Sequence, residues 1–182
     1  MQALSMPNSQ LICEVKARIG DSISDYTAHG VDEVTFLFAG HVGATPLPLS
    51  KVASGGESSR VMLALSVVLA QSAPIGTYIF DEVDAGVGGA AAVEVGRRLK
   101  VLSHSSQVIV VTHLAQVAVW ADNHLIVQKD QKGSVTSSDV RALDLQERKV
   151  EIARMLSGQS QSATAQEHAA ELLDLVQKSK TR

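Results

Sequence analysis

Thr77-Tyr78-Ile79-Phe80-Asp81-Glu82-Val83-Asp84-Ala85-Gly86-Val87-Gly88-Gly89 is the stretch whose reading decides the fold. It opens as a short apolar run, the pattern of a buried strand. It then sets three carboxylates within four residues and breaks into glycines. In open α/β sheets, ligands sit at the carboxyl ends of the strands. Placed there, Asp81 can hold a Mg²⁺ through an oxygen ligand, and Glu82 can take a proton from a water. The same residues also read as an acidic strand-to-loop exit with no chemistry, and on this stretch alone both readings stand.

One neighbour lies upstream, Lys51-Val52-Ala53-Ser54-Gly55-Gly56-Glu57-Ser58-Ser59-Arg60. Ser54 followed by Glu57 fits a capping box, so a helix is expected to start here. Val61, Leu65, Val68 and Leu69 continue it at helical spacing. Gly55 and Gly56 leave the helix start bare. A bare helix N-terminus presents free N–H groups and a partial charge of about +0.5, which suits an anion such as phosphate. A glycine-rich turn capping an ordinary helix fits equally. The other neighbour is downstream, Gln107-Val108-Ile109-Val110-Val111-Thr112-His113, a second apolar strand ending in a histidine. If the two strands are parallel neighbours, His113 shares a sheet edge with Asp81 and Glu82. An imidazole there can bind phosphate or order a water, or simply be solvated.

In combination the segments are specific. A Ser-Gly-Gly-Glu helix start, a strand ending Asp-Glu, a helix, then a strand ending Thr-His resembles the C-terminal lobe of an ABC-type ATPase head. Val52 to Glu57, Phe80 to Gly89 and Val111 to Ala118 are similar to the RecN family of SMC-like DNA repair proteins. The resemblance continues in Phe36 to Ala39, Glu151 to Gly158 and His168 to Leu173. Where that family has a leucine after Ser-Gly-Gly-Glu, this chain has Ser58, which thins the packing of the helix but leaves the phosphate-facing residues in place.

The resemblance implies an α/β lobe, with a mainly parallel sheet flanked by helices, that lacks the P-loop half. It implies ATP and Mg²⁺ as cofactors. Asp81 is then the Walker B aspartate on the metal, Glu82 the general base, and His113 the switch histidine near the γ-phosphate. Ser54, Gly55, Gly56 and Glu57 form the signature that meets ATP held by a second head. Asp84 opens a loop that crosses the interface between heads. ATP bridges two heads, hydrolysis releases them, and DNA is engaged by the longer parent protein in double-strand break repair. The implied location is the cytoplasm, at the nucleoid.

A P-loop, G-x-x-x-x-G-K-[ST], occurs nowhere in the sequence, and Lys51 follows Ser50 rather than a glycine loop. In the family that motif lies in an N-terminal segment, separated from this lobe by coiled-coil arms. The chain is therefore expected to be the second half of a head, from a longer protein or a shortened gene, and to bind ATP weakly or not at all alone. That expectation keeps open a non-catalytic module docking on intact heads. A transporter nucleotide-binding domain is a further alternative, against which Asp84-Ala85-Gly86-Val87-Gly88-Gly89 argues, because transporters follow Asp-Glu with a proline and a leucine-rich loop.

Composition agrees with this frame. The chain has 182 residues, 45% of them hydrophobic, enough for one globular domain with a core. A net charge of −3 gives no bulk attraction to nucleic acid. Arg97, Arg98 and Lys100 read either as a solvated helix face or as a phosphate patch. The single cysteine, Cys13, excludes an internal disulfide and suits a reducing compartment. No apolar run reaches the ~18 residues of a membrane span, and no basic-then-apolar leader opens the chain. His104, His113 and His124 lack ligand spacing for a metal enzyme.

The expected layout is one domain over 1–182: a connector over 1–9, an α/β core over 10–145 and C-terminal helices over 146–182. Within the last part, Gly158 is expected to close one helix, and Thr164 with Glu167 to cap the next. Ala169, Leu172, Leu173 and Val176 make the buried stripe of that last helix.

Overall fold

The computed structural model describes residues 4, 6–17, 22–52, 55–70, 72, 75–130, 137–159 and 162–180. The central unit is strand, helix, strand: β4 (Thr77–Asp81), α2 (Gly89–Leu102) and β5 (Gln107–Val111). β4 and β5 pair in parallel, with Ile79 opposite Ile109 and Asp81 opposite Val111. The period of a strand then sends Tyr78, Phe80, Val108 and Val110 to one face, where they join the core. Helix α1 (Gly55–Leu69) enters that core through Val61 and Leu63, and α2 through Ala92, Val95, Leu99 and Leu102.

Two antiparallel ladders flank this unit. β1 (Gln10–Lys16) pairs with β2 (Glu33–Ala39), which also pairs with the short β3 (Leu47–Pro48). β6 (Leu125–Asp130) pairs with β7 (Ser137–Ala142). Among the described residues, parallel pairing is confined to β4–β5, because only there does a helical crossover return the chain in the same direction. The expected connector supplies Leu4 and Met6 to the core. Residues 131–136, which join β6 to β7, lie outside the described residues.

A second core sits at the C-terminal end. The one-turn helix α3 (Ala115–Ala118), Val119 and Trp120 pack against α4 (Leu145–Ser157) and α5 (Ala163–Lys180). Asp144 and Glu147 form a reciprocal capping box at the start of α4. Gly158 ends it in the left-handed conformation, φ 74°, its N–H bonded to Arg154 O at 2.7 Å. The buried stripe of α5 is as expected, with Ala169 and Val176 inside and Leu172 and Leu173 against them.

One local expectation is corrected. The cap of α5 is Ser162, whose Oγ accepts from Ala165 N; Thr164 already lies inside the helix. On α1 the buried face is Gly56, Arg60, Val61, Leu63 and Ser66, while Val68 and Leu69 are exposed. The helix turns its small and polar residues inward because the loop after β4 runs against its first two turns.

Candidate functional site

The acidic loop is shaped by its own backbone. Glu82 has φ 53°, the one non-glycine residue in the left-handed region among the described residues. Ala85 N donates to Glu82 O (3.0 Å) and Val87 N to Asp84 O (3.2 Å), folding 82–87 into consecutive turns. Val83 and Asp84 are turned inward, fully buried, while Asp81 and Glu82 stay exposed at the strand's end.

Helix α1 is fastened to this loop at its first turns. Ser59 Oγ donates to Asp81 O (3.1 Å), and the buried Arg60 donates through Nη1 to Ala85 O (2.7 Å). Burial pushes the Arg60 guanidinium below its ordinary pKa, and the Glu57 carboxylate opposes that shift. A Cβ on Gly56 would lie 2.9 Å from both Ala85 Cβ and Ala85 O, so only glycine permits this approach. The same contact brings Gly55 to the carboxylate of Glu82: a Cβ on Gly55 would stand 3.9 Å from Oε2.

The end of β5 arrives at the same edge. Thr112 Oγ1 donates a close hydrogen bond to Asp84 Oδ2 and accepts from Leu114 N at 3.1 Å. His113 Nδ1 is 3.7 Å from Asp84 Oδ2, with the ring 75% exposed. Asp84 Oδ1 is buried without a hydrogen-bond partner.

Gly55, Gly56, Asp81, Glu82, Asp84 and His113 thus share one edge of the lobe; of these, the sequence predicts the shared edge for His113 with Asp81 and Glu82. Glu57 lies in the first turn of α1, its carboxylate toward Gly40. Ser54 lies outside the described residues. The carboxylate of Asp84 points into the lobe, toward Thr112. Arg60, Ser59 and Thr112 were not foreseen as site residues. Only an arginine among the apolar residues of a helix, and a hydroxyl just before the histidine, marked them.

The donors at this edge are hard carboxylate oxygens, which suit Mg²⁺. No group of three or more His, Cys, Asp or Glu gathers anywhere among the described residues. The described residues therefore do not form a dedicated protein cage for such an ion. Arg97 and Arg98 pair with Glu94, and Lys100 with Asp122, so the basic run is a paired helix face. No helix among the described residues is long and apolar enough to cross a membrane.

The chain matches no family model. It is 51% identical over 181 residues to the DNA repair protein RecN of Streptomyces coelicolor, covering 96% of this chain and 32% of that protein. The RecN of Mycobacterium leprae is 58% identical over 154 residues, 85% of this chain and 26% of the relative. That of Deinococcus radiodurans is 46% identical over 173 residues, 95% of this chain and 29% of the relative. The chain therefore spans about a quarter to a third of the length of these relatives. Among solved structures, the Smc head domain with coiled coil and joint from Pyrococcus yayanosii aligns with TM-score 0.55 at 22% identity, over 85% of this chain and 27% of that one. The Smc head domain with an extended coiled coil from Pyrococcus furiosus aligns with TM-score 0.52 at 22% identity, over 85% of this chain and 35% of that one. At this identity the two structures speak for the fold alone, the α/β lobe of an Smc head domain. Identity near one half over almost the whole chain, on that fold, makes the chain a member of the RecN family.

Proposed function

We propose that residues 1–182 act as one unit, the half of a RecN-type ATPase head that carries the signature, Walker B and switch-histidine elements. The observation that carries this reading is the meeting of Gly55–Gly56, Asp81–Glu82 and His113 at one edge of the parallel pair. Asp81 holds Mg²⁺, which screens phosphate charge when bound. Glu82 accepts a proton from the attacking water, a contribution typically worth roughly 10²–10⁴-fold. His113, exposed beside it, hydrogen-bonds the γ-phosphate. Ser54, Gly55, Gly56 and Glu57 present the start of α1 to ATP on a second head, and the loop opened by Asp84 faces that head while its carboxylate stays inside. ATP is then a ligand shared by two subunits, so nucleotide state and dimerisation are coupled. DNA double-strand break repair, contact with DNA and a place at the nucleoid in the cytoplasm follow as properties of the longer parent.

The P-loop must come from another segment. Its docking face is supported by β4–β5, whose outer side exposes Ile79 (71%), Ile109 (44%) and Val111 (60%). Parallel sheets are normally covered on both faces. The N-terminal half of the head, part of the length by which the relatives exceed this chain, is the occupant proposed here. The same face favours a second reading, in which the chain only docks on intact heads and hydrolyses nothing.

ATP turnover separates the two readings. The chain alone is expected to be inactive. Co-expressed with a P-loop-bearing N-terminal half of a related head, it should turn over ATP, and Glu82→Gln should reduce that rate about 100-fold or more. An assembled, folded complex without turnover would leave the docking reading. Turnover by the chain alone would overturn the need for a second segment.

A further inference from the structure

We propose that Asp84 is a positioning residue for His113, latching the acidic loop to the histidine loop within a single chain. Three observations converge on it. Asp84 is only 1% exposed, unusual for a carboxylate that an acidic strand exit would leave in water. Its Oδ2 accepts from Thr112 Oγ1, the residue just before His113, across 28 positions of sequence. His113 Nδ1 stands 3.7 Å from the same oxygen, about 0.5 Å beyond hydrogen-bond range, a gap that a small ring rotation closes. The other oxygen, Oδ1, is buried without a hydrogen-bond partner.

A buried carboxylate left half-satisfied costs free energy unless a donor reaches it. Thr112 is fully engaged, donating to Asp84 and accepting from Leu114 N. The donor that one tautomer of His113 places nearest to this carboxylate at the end of β5 is the imidazole Nδ1–H. Drawing Nδ1–H toward Asp84 fixes the ring's tautomer and leaves Nε2 aimed outward from the edge. A carboxylate holding one imidazole nitrogen so that the other is presented is a general device for orienting histidine. The role matters to catalysis only if the head reading holds, but the geometry and its test do not depend on turnover.

The test is nitrogen NMR of the histidine rings in the chain labelled with ¹⁵N-histidine, at about pH 8, above the ordinary imidazole pKa of about 6.5. His113 signals are assigned by their loss in His113→Gln. The expected result is a predominantly Nδ1–H ring at His113. Asp84→Asn should lower the Nδ1–H population about twofold or more, and Thr112→Val should do the same by freeing the loop. Thr112→Ser, which keeps the hydroxyl, should restore it. The ring signals of His104, His124 and His168 should stay in place in every variant, reporting an intact fold. An Nε2–H ring at His113 in the parent chain, or a His113 signal indifferent to both Asp84→Asn and Thr112→Val with the other histidines unmoved, overturns the proposal. Loss of turnover in the assembled head is a separate result: Glu82→Gln tests the head reading, and the His113 tautomer tests the latch.

Discussion

The two ends of the molecule solve the same packing problem differently. Around Trp120, Ile152, Ala153, Ala169 and Val176, helices α3, α4 and α5 close on one another, and the apolar stripe of each finds its cover inside the chain. Around β4–β5 only the inner face is covered. Phe80 is buried there, while Ile79, one residue away, is bare. The comparison shows that the chain covers its apolar stripes at one end and leaves an apolar sheet face bare at the other. The open end is also the end that carries Asp81, Glu82 and His113.

Substitutions at the closed end should have the largest effect on stability. A Cβ on Gly96 would fall 2.1 Å from Trp120 Cδ1, so Gly96→Ala should cost about 3 kcal/mol in urea melts through overpacking. Pairing it with Trp120→Phe should recover part of that loss, a non-additivity that identifies the contact. Beside the acidic loop of the open end, Gly56→Ala forces Ala85 O away. It should cost about 2 kcal/mol and also lower turnover of an assembled head, since the loop bearing Glu82 must shift. At the open end, Ile79→Asp should change the stability of the chain alone by less than about 0.5 kcal/mol, as at other exposed positions. It should abolish co-purification with the N-terminal half. A large loss of stability in the isolated chain would mean that Ile79 is covered after all.

The smallest effect concerns pH at the closed end. Burial, with the nearby Arg148 guanidinium, holds His124 below its ordinary pKa, against the pull of Glu151. A depressed folded pKa means that folding favours the neutral ring. The contribution is complete above the unfolded value of about 6.5 and is lost as the pH falls through the folded value below it. Melting temperature should therefore fall with acidification below about pH 6.5, and His124→Gln should flatten that slope.

Local pattern revealed a good deal of this. The strand ending at Asp81, the helix beginning at Gly55 and the strand ending before His113 were each legible from period and punctuation. The resemblance then joined them at one edge. What stayed hidden rests on distant pairs. Arg60 meets Ala85 across 25 residues, and Thr112 meets Asp84 across 28. No helical or strand period reports such contacts. Val68 and Leu69 make the same point: their spacing reports the helix, but the loop against α1 decided that Gly56, Arg60 and Ser66 would be inside.

The left-handed backbone of Glu82 has an evolutionary consequence. A glutamate there costs about 1 kcal/mol relative to residues that tolerate this conformation. Asparagine would relieve that strain while removing the longer carboxylate. Selection for stability alone thus pulls position 82 away from glutamate. If Glu82 is the general base proposed above, related chains that have given up hydrolysis should drift to asparagine or glycine here first, and by that change become slightly harder to melt.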